Sequence, residues 1–471
     1  MKSPKGIDSL GLTEINDMKT PVQNSNFDLS IFRAYDIRGI FPEQLNTTMA
    51  YRIAQAYAKL VQPKEVALGR DMRLSGPALF EAMKNGFLDH GVDVIDIGVV
   101  TSVTLSFVSG EYNYDALTIS ASHNPKEYNG VKMARKGAVS ISEESGIQEI
   151  KQLVQDGYVY KSPRPGKLKT QNFTAEYLKK CLSFVDKNKI KPLRLVANGM
   201  YGLAVQNVMK LGLPLEIIPL NENPDGSFPK GPPDPFLKEN RTETEELIKK
   251  EQADLGAAWD GDADRFFLFD ELGRYIPGYY LTAFLGKYFC EKYPNAKIIH
   301  EVREIWAVTD SVKAAGGTPL INRVGHSFIR ARMRKENAVF AGEGSGHFYF
   351  RDFYYADNGL IPFLLILQII SESGQKVSEI FQPYFDRYFV SGEINADLKD
   401  FAEAQRIFKI IEQKFSDAQI DHVDGVSVEY SDWRANVRSS NTQPLIRLNV
   451  EAKSEAFMKE KTEELLKLVR N

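Results

Sequence analysis

Three stretches of the chain repeat one pattern, and that pattern restricts the fold more than any other feature. "VALGRDMRLSGPALFEAMKNGFLDHGVDVIDIG" reads as strand, loop, helix, a stop at Gly91 and a second strand. "LRLVANGMYGLAVQNVMKLGLPLEIIPL" repeats it with the stop at Gly212. "AKIIHEVREIWAVTDSVKAAGGTPLINR" repeats it again, stopping at Gly316 and Gly317. Glycine just past a helix end suits the left-handed cap conformation. Strands alternating with helical stretches argue mainly parallel sheets. Each unit is followed by a further apolar run that ends in an abrupt polar loop: "SASHNP", "DGDADR" and "GEGSGH". Strand carboxyl ends are where α/β folds bind ligands, so three such loops in register predict one shared cleft.

The fourth segment departs from the pattern. After about Phe389, "YFVSGEINADL" reads as a strand, "FAEAQRIFKIIEQKF" as a helix and "VSVEY" as a strand. "WRANVRSSNTQP" reads as a loop, "LIRLNVEAK" as an alternating strand and "SEAFMKEKTEELLKLVRN" as a closing amphipathic helix. The expected architecture is α/β: three α/β units of similar topology that share one cleft, followed by a C-terminal α+β domain carrying its own loop, four domains in all. The boundaries are drawn at a flexible arm over 1–26, then 27–172, 173–275, 276–387 and 388–471. The length of 471 residues fits three or four domains. "NENPDGSFPKGPPDP" (221–235) reads as a connecting loop within the second unit.

Bulk properties narrow the function by exclusion. A net charge of −3 offers no basic face for nucleic acid. No run approaches the ~18 apolar residues of a membrane span, and the N-terminal stretch lacks the apolar centre of a signal peptide. Cys181 and Cys290 are far apart with no metal spacing, which fits thiols in a reducing cytoplasm. The expectation is a cytoplasmic protein with neither nucleic-acid nor membrane partners.

The loops carry the chemistry. "AAWDGDADRFFLFD" places Asp260, Asp262 and Asp264 at alternate positions between apolar strands. Carboxylates so close repel one another unless a cation lies among them, and an all-oxygen donor set favours magnesium or calcium over zinc. A calcium loop of the D-x-D-x-D kind competes, with Glu271 at its twelfth place. Arg265 stands where that loop needs glycine, and a β-like "FFLF" follows where it needs a helix. A solvated acidic turn is the plain alternative. Ser122, at the end of "TISAS", is either a turn former or a reactive hydroxyl. No G-x-S-x-G elbow surrounds it, so a hydrolase is poorly supported. A phosphorylated serine carries about −1.5 to −2 charges and needs the cation that the aspartates can hold. "VRSSNTQP" supplies Arg438, Ser440, Asn441 and Thr442, a phosphate-binding set in one tight loop. Alone, that loop reads equally well as a polar hairpin. "GEGSGH" offers Glu343 and Ser345, which suit sugar hydroxyls, among glycines that let a ligand approach.

Taken together, these loops resemble the α-D-phosphohexomutase superfamily, and within it the phosphomannomutase/phosphoglucomutase group. The motifs "FRAYDIRG", "GRDMRLSGP", "SASHNPKEYNGVK", "DGDADR", "VGHSFI", "GEGSGH" and "RSSNTQP" occur in the family's order from about Phe32 to the C-terminus. The resemblance implies four domains around a central cleft, three with a shared α/β topology and a last, mobile one, and an enzyme that interconverts hexose 1-phosphate and hexose 6-phosphate, of mannose or glucose or both. It implies a phosphoserine at Ser122, one magnesium ion held by Ser122, Asp260, Asp262 and Asp264, and hexose 1,6-bisphosphate as intermediate and activator. It makes Lys132 the candidate acid/base and puts Arg265 beside the metal; His123, next to Ser122 in the chain, is a further catalytic candidate. It assigns Glu343, Ser345 and His347 to the sugar and Arg438, Ser440, Asn441 and Thr442 to the non-reacting phosphate. Tyr35, Arg38 and His326 match cleft residues, and Arg303 is carried as a further substrate contact. The expected state is a monomer, without excluding an oligomer.

Some positions depart from the family's pattern. Gly344 stands where relatives often carry methionine, and Arg303 where many place lysine, which is not an equivalent point charge. "SSNTQP" and "GEGSGH" lack the forms associated with phosphoglucosamine mutases. That activity remains an alternative. So does a catalytically silent sugar-phosphate-binding protein, or a phosphatase using Ser122. For His123 and His347, a hydrogen bond that merely holds the loop ranks ahead of direct catalysis.

Overall fold

A computed structural model of the chain describes residues 27–440 and 445–470. The arm expected at 1–26, and Asn441 and Thr442 of the phosphate loop, lie outside the described residues.

The repeat folds as three α/β sheets. In the first, the strands run Ile37–Ile40, Tyr128–Arg135, Asp115–Ile119, Glu65–Arg70, Asp93–Val99 and Leu168–Thr170, with Val139–Ser140 attached at Tyr128–Arg135. The helices of the three repeat units span Gly76–His90, Ala204–Met209 and Trp306–Ala314. Gly91, Gly212 and Gly316 lie at or just beyond their ends with φ of 90°, 65° and 76°, the conformation that makes glycine the least costly stop there.

Each sheet changes pairing at its loop. Asp115–Ile119 runs parallel to Glu65–Arg70 but antiparallel to Tyr128–Arg135, the strand that follows "SASHNP". Leu255–Trp259 pairs parallel with Leu193–Asn198 and antiparallel with Phe266–Phe269, after "DGDADR". Phe340–Gly342 pairs parallel with Lys297–Glu301 and antiparallel with Phe348–Phe350, after "GEGSGH". The strand–helix–strand units are therefore parallel as expected, and every polar loop is the turn into an antiparallel edge.

The C-terminal domain is a six-stranded antiparallel sheet packed against helices Phe401–Lys414 and Glu455–Arg470. Here one expectation fails: "WRANVRS" is the strand Trp433–Ser439, not a loop. Trp433, Ala435 and Val437 alternate with Arg434, Asn436 and Arg438 along it, which is the period-two pattern of a strand. The polar set is buried as well, and that composition hides the alternation.

One apolar core runs through the first three domains, from Ile95 and Phe107 to Trp259, Phe289 and Phe363. The C-terminal domain has a core of its own, built around Ile407, Val437 and Leu448. Among the described residues no single helix is long and apolar enough to cross a membrane.

Candidate active site

The serine loop is held by arginines before any ligand is considered. Ser122 sits at φ 51°, a left-handed conformation that costs a non-glycine residue about 1–2 kcal/mol. Arg73, fully buried, offsets that cost. Its Nη2 donates to the carbonyls of Ser122 (2.7 Å) and Asn124 (2.6 Å), and its Nη1 to those of Pro125 (2.7 Å) and Tyr128 (2.9 Å). Asp71 faces its Nε at 3.3 Å. Arg38 adds donors to the Ala121 carbonyl (3.3 Å) and the Asn124 side chain, while its Nε is held by Asp36 at 2.7 Å. Arg73 was missed by the sequence reading, although "GRDMRLSGP" contains it; the Asp-x-Arg spacing was the available signal.

The aspartate loop closes over the serine from the second domain. Ser122 Oγ donates to Asp260 Oδ2 at 2.7 Å and lies 3.2 Å from His123 Nδ1. Ser120 Oγ donates to Asp262 Oδ2 at 3.0 Å. Gly261 permits this approach: a Cβ there would stand 2.9 Å from both the Ser122 carbonyl and Pro233 Cγ. Segment 221–235 thus does more than connect strands. Pro233 accepts from Gly261 N (3.2 Å), and the Phe228 ring lies 4.9 Å from the Arg73 guanidinium.

Asp260, Asp262 and Asp264 are buried and bring oxygens within 4.8 Å of one another. Among the described residues, Asp262 Oδ1 has no hydrogen-bond partner, and Asp264 Oδ1 has His347 Nε2 only at 3.5 Å. Buried carboxylate oxygens left this way are costly unless a cation takes them. The donor set is all oxygen, and it fits a magnesium ion. Lys132 Nζ donates to Asp262 Oδ2 (2.6 Å) and Asp264 Oδ2 (2.7 Å). Burial and the charge of its two neighbours push Asp260 well above the usual carboxylate range. Burial also opposes ionisation of Asp264, but Lys132 and His347 outweigh it and hold that group well below its ordinary value.

Lys132, the candidate acid/base, stays charged: burial acts to lower its pKa, but Asp262 and Asp264 more than reverse that and keep the ammonium protonated. The imidazoles behave in the opposite way. Burial keeps His326 neutral, pulled down to about 3, and lowers His123 well below its usual value, with Arg265 and Arg38 adding to the effect.

The cleft encloses about 560 Å³. Tyr35, Arg38, Ser122, His123, Lys132, Asp264, Arg265, His326 and His347 all line it, which brings together residues from the first three domains. Asp260 and Asp262 lie beneath its floor, fully buried. Arg265 faces Asp234 at 3.6 Å and Asp260 at 3.8 Å. Ser345 Oγ lies 3.0 Å from His347 Nδ1. The Glu343 carboxylate accepts from Gly325 N (3.1 Å) and the Tyr349 hydroxyl. Glu343 and Ser345 do not line this cleft; Arg438 and Ser440 belong to the C-terminal domain, and Arg303 lies where the third domain meets it, bonded to Glu393 at 3.0 Å and beside Gly344 of the sugar loop. Arg303 grips Glu301 through two nitrogens, each at 2.5 Å.

With the geometry in hand, comparison with known proteins decides the lineage. Models of the phosphoglucomutase/phosphomannomutase family match in chain order: alpha/beta/alpha domain I at residues 29–160, domain II at 175–273, domain III at 277–388 and the C-terminal domain at 393–468. The chain belongs to this family. It is 40% identical over 454 residues to proteins named phosphomannomutase from Salmonella montevideo and Escherichia coli, covering 94% of this chain and 99% of each relative. A solved structure of a phosphoglucomutase/phosphomannomutase family protein from Burkholderia thailandensis superposes with a TM-score of 0.84 at 29% identity, covering 94% of this chain and 98% of that one. The protein is therefore an enzyme of the isomerase class, a phosphohexomutase, with the expected four-domain fold.

Proposed function

We propose that this phosphohexomutase interconverts the 1- and 6-phosphates of hexoses, mannose foremost, through a phosphoserine at Ser122 and a hexose 1,6-bisphosphate. The observation that carries this reading is the 2.7 Å contact between Ser122 Oγ and Asp260 Oδ2, at the point where three aspartates converge. The relatives' name, phosphomannomutase, supports mannose as the sugar.

Asp260, Asp262 and Asp264 are the residues that would hold one magnesium ion, which when bound neutralises the phosphoserine and draws charge from the serine oxygen. The chain's own groups do the rest. Arg73 and Arg38 orient the loop, so little of the barrier is spent on positioning. The charged Lys132 and Arg265 stabilise negative charge as it builds up on the transferring group. The neutral His123 ring, 3.2 Å from Ser122 Oγ, can take the proton of that hydroxyl when the bisphosphate returns a phosphoryl group to the serine. Glu343, kept ionised by His347 and Tyr349 against the effect of burial, serves as a hydrogen-bond acceptor for sugar hydroxyls. Arg438 and Ser440, with Asn441 and Thr442, take the phosphate that is not reacting. A bisphosphate that turns over between these two ends presents its other phosphate to Ser122.

The test is coupled turnover of mannose 1-phosphate, glucose 1-phosphate and glucosamine 1-phosphate with magnesium and a trace of hexose 1,6-bisphosphate. Mannose phosphate is expected to turn over at least as fast as glucose phosphate. Activity confined to glucosamine phosphate would overturn the sugar assignment. Full activity through exhaustive chelation would overturn the role of the aspartates.

A further inference from the structure

We propose that Glu393 is a built-in competitor for the substrate's non-reacting phosphate, holding the arginines of that site until a sugar phosphate takes its place. This rests on the reading of Arg438 as a phosphate ligand.

Glu393 lies between the strands Phe389–Val390 and Ile394–Asp397, where the chain enters the C-terminal domain. Its Oε2 accepts from Arg303 Nη1 (3.0 Å) and Arg438 Nη2 (2.9 Å), and its Oε1 from Arg447 Nη1 (2.8 Å). Arg438 and Arg447 stand opposite each other on neighbouring strands, whereas Arg303 reaches over from the third domain. The other two nitrogens through which Arg303 bonds go to Glu301, so Glu301 balances its charge. Arg438 and Arg447 then share one carboxylate and keep a net positive charge. Among the described residues, their Nε atoms are buried without a hydrogen-bond partner.

Such a cage favours a better anion. A carboxylate offers two oxygens and one charge to guanidinium groups, whereas a phosphate ester offers three oxygens and more charge in the same fork geometry. Burial opposes ionisation of Glu393, yet Arg303, Arg438 and Arg447 hold it down at about 2, so the carboxylate stays charged at working pH. An incoming phosphate therefore meets arginines already in position but already engaged. In the exchange, Arg303 loses its link to the C-terminal domain through Glu393. Phosphate binding is thereby coupled to the contact between the third and fourth domains.

The experiment measures mannose 6-phosphate binding by calorimetry with magnesium present, in Ser122→Ala enzyme so that nothing turns over. Adding Glu393→Gln removes the competing charge, and Kd is expected to fall at least about fivefold. Glu393→Asp keeps the charge and is expected not to tighten binding. Unchanged or weaker binding in Glu393→Gln overturns the proposal, as does equal tightening by both variants, which would trace the gain to looser packing. A larger ligand-induced rise in Tm for Glu393→Gln than for its parent checks the gain in folded protein. Arg438→Ala separates the two readings. If it leaves Kd unchanged, the phosphate site is wrong and the competitor falls with it. If it weakens binding while Glu393→Gln brings no gain, the competitor alone falls.

Discussion

The first three domains share one apolar core, whereas the C-terminal domain keeps its own and meets the third domain mainly through polar contacts, with Val390 of its sheet packing onto the shared core. Glu451 accepts from the backbone of Ile305 (3.0 Å) and Trp306 (3.2 Å). Arg434 donates to the Arg303 carbonyl at 2.8 Å, and Trp306 Nε1 to Glu429 at 2.8 Å. Separating an apolar core exposes area to water at about 25 cal/mol per Å². Hydrogen bonds exchanged for water cost little net. The serine and aspartates thus lie on the side of the molecule that resists deformation, and the phosphate arginines lie across the seam that yields most easily. Phosphoryl transfer needs the first property. Accepting either phosphate of a bisphosphate that turns over needs the second.

Two substitutions test the rigid side. Ser122→Ala, which removes the oxygen that would carry the phosphoryl group, should lower kcat/KM by at least about a thousandfold even with bisphosphate present. Sugar-phosphate binding should persist, because the distal site is untouched. Retention of turnover would remove the serine from the mechanism. Arg73→Lys should have the next largest effect. An ammonium offers three donors and no planar fork, so it cannot hold all four loop carbonyls. The expected result is a fall in kcat of roughly tenfold to a hundredfold, with KM within about twofold. A matching rise in KM would mean that the whole cleft had loosened, and would break the distinction between the two ends.

The two ends also differed in how much the sequence disclosed. The three cleft loops were legible because their evidence is local: turn residues after an apolar run, and carboxylates at alternate positions in "DGDADR". The four-domain α/β plan followed from repeating those units. Contacts between distant segments left no such trace. Arg73 reaches carbonyls about fifty residues away, and nothing in "GRDMRLSGP" says which. Short apolar runs such as "FFLF" and "FYF" give no strand direction, so the change to antiparallel pairing at each loop was invisible. Segment 221–235 looked like a connection because proline and glycine suit loops whether or not they pack against a neighbour. In the C-terminal domain the difficulty was burial of polar groups. "WRANVRS" hid its strand behind buried arginine and asparagine, and nothing in "YFVSGEINADL" marks Glu393 as the shared partner of Arg303, Arg438 and Arg447.

The seam itself allows the smallest and most selective test. Glu304 is buried there, with Oε1 accepting from Asn449 of the C-terminal domain at 2.8 Å. Burial pushes its carboxyl up to about 7, with Glu301 and Glu451 adding to the effect and Arg303 opposing it. A carboxyl whose pKa is higher in the folded state binds its proton more tightly there, so its contribution to stability is complete below its unfolded pKa. That contribution is lost as pH rises toward about 7 and does not return above it. Wild-type enzyme should therefore lose thermal stability between pH 5 and 8 in part through this group. Glu304→Gln keeps an oxygen for Asn449 and cannot titrate. It should flatten the fall in Tm over that range by roughly 2–4 °C, with little change in turnover at neutral pH. An identical pH profile in the variant would show that the seam carries no titrating carboxyl at Glu304. The comparison between the two sides would then rest on their contacts alone.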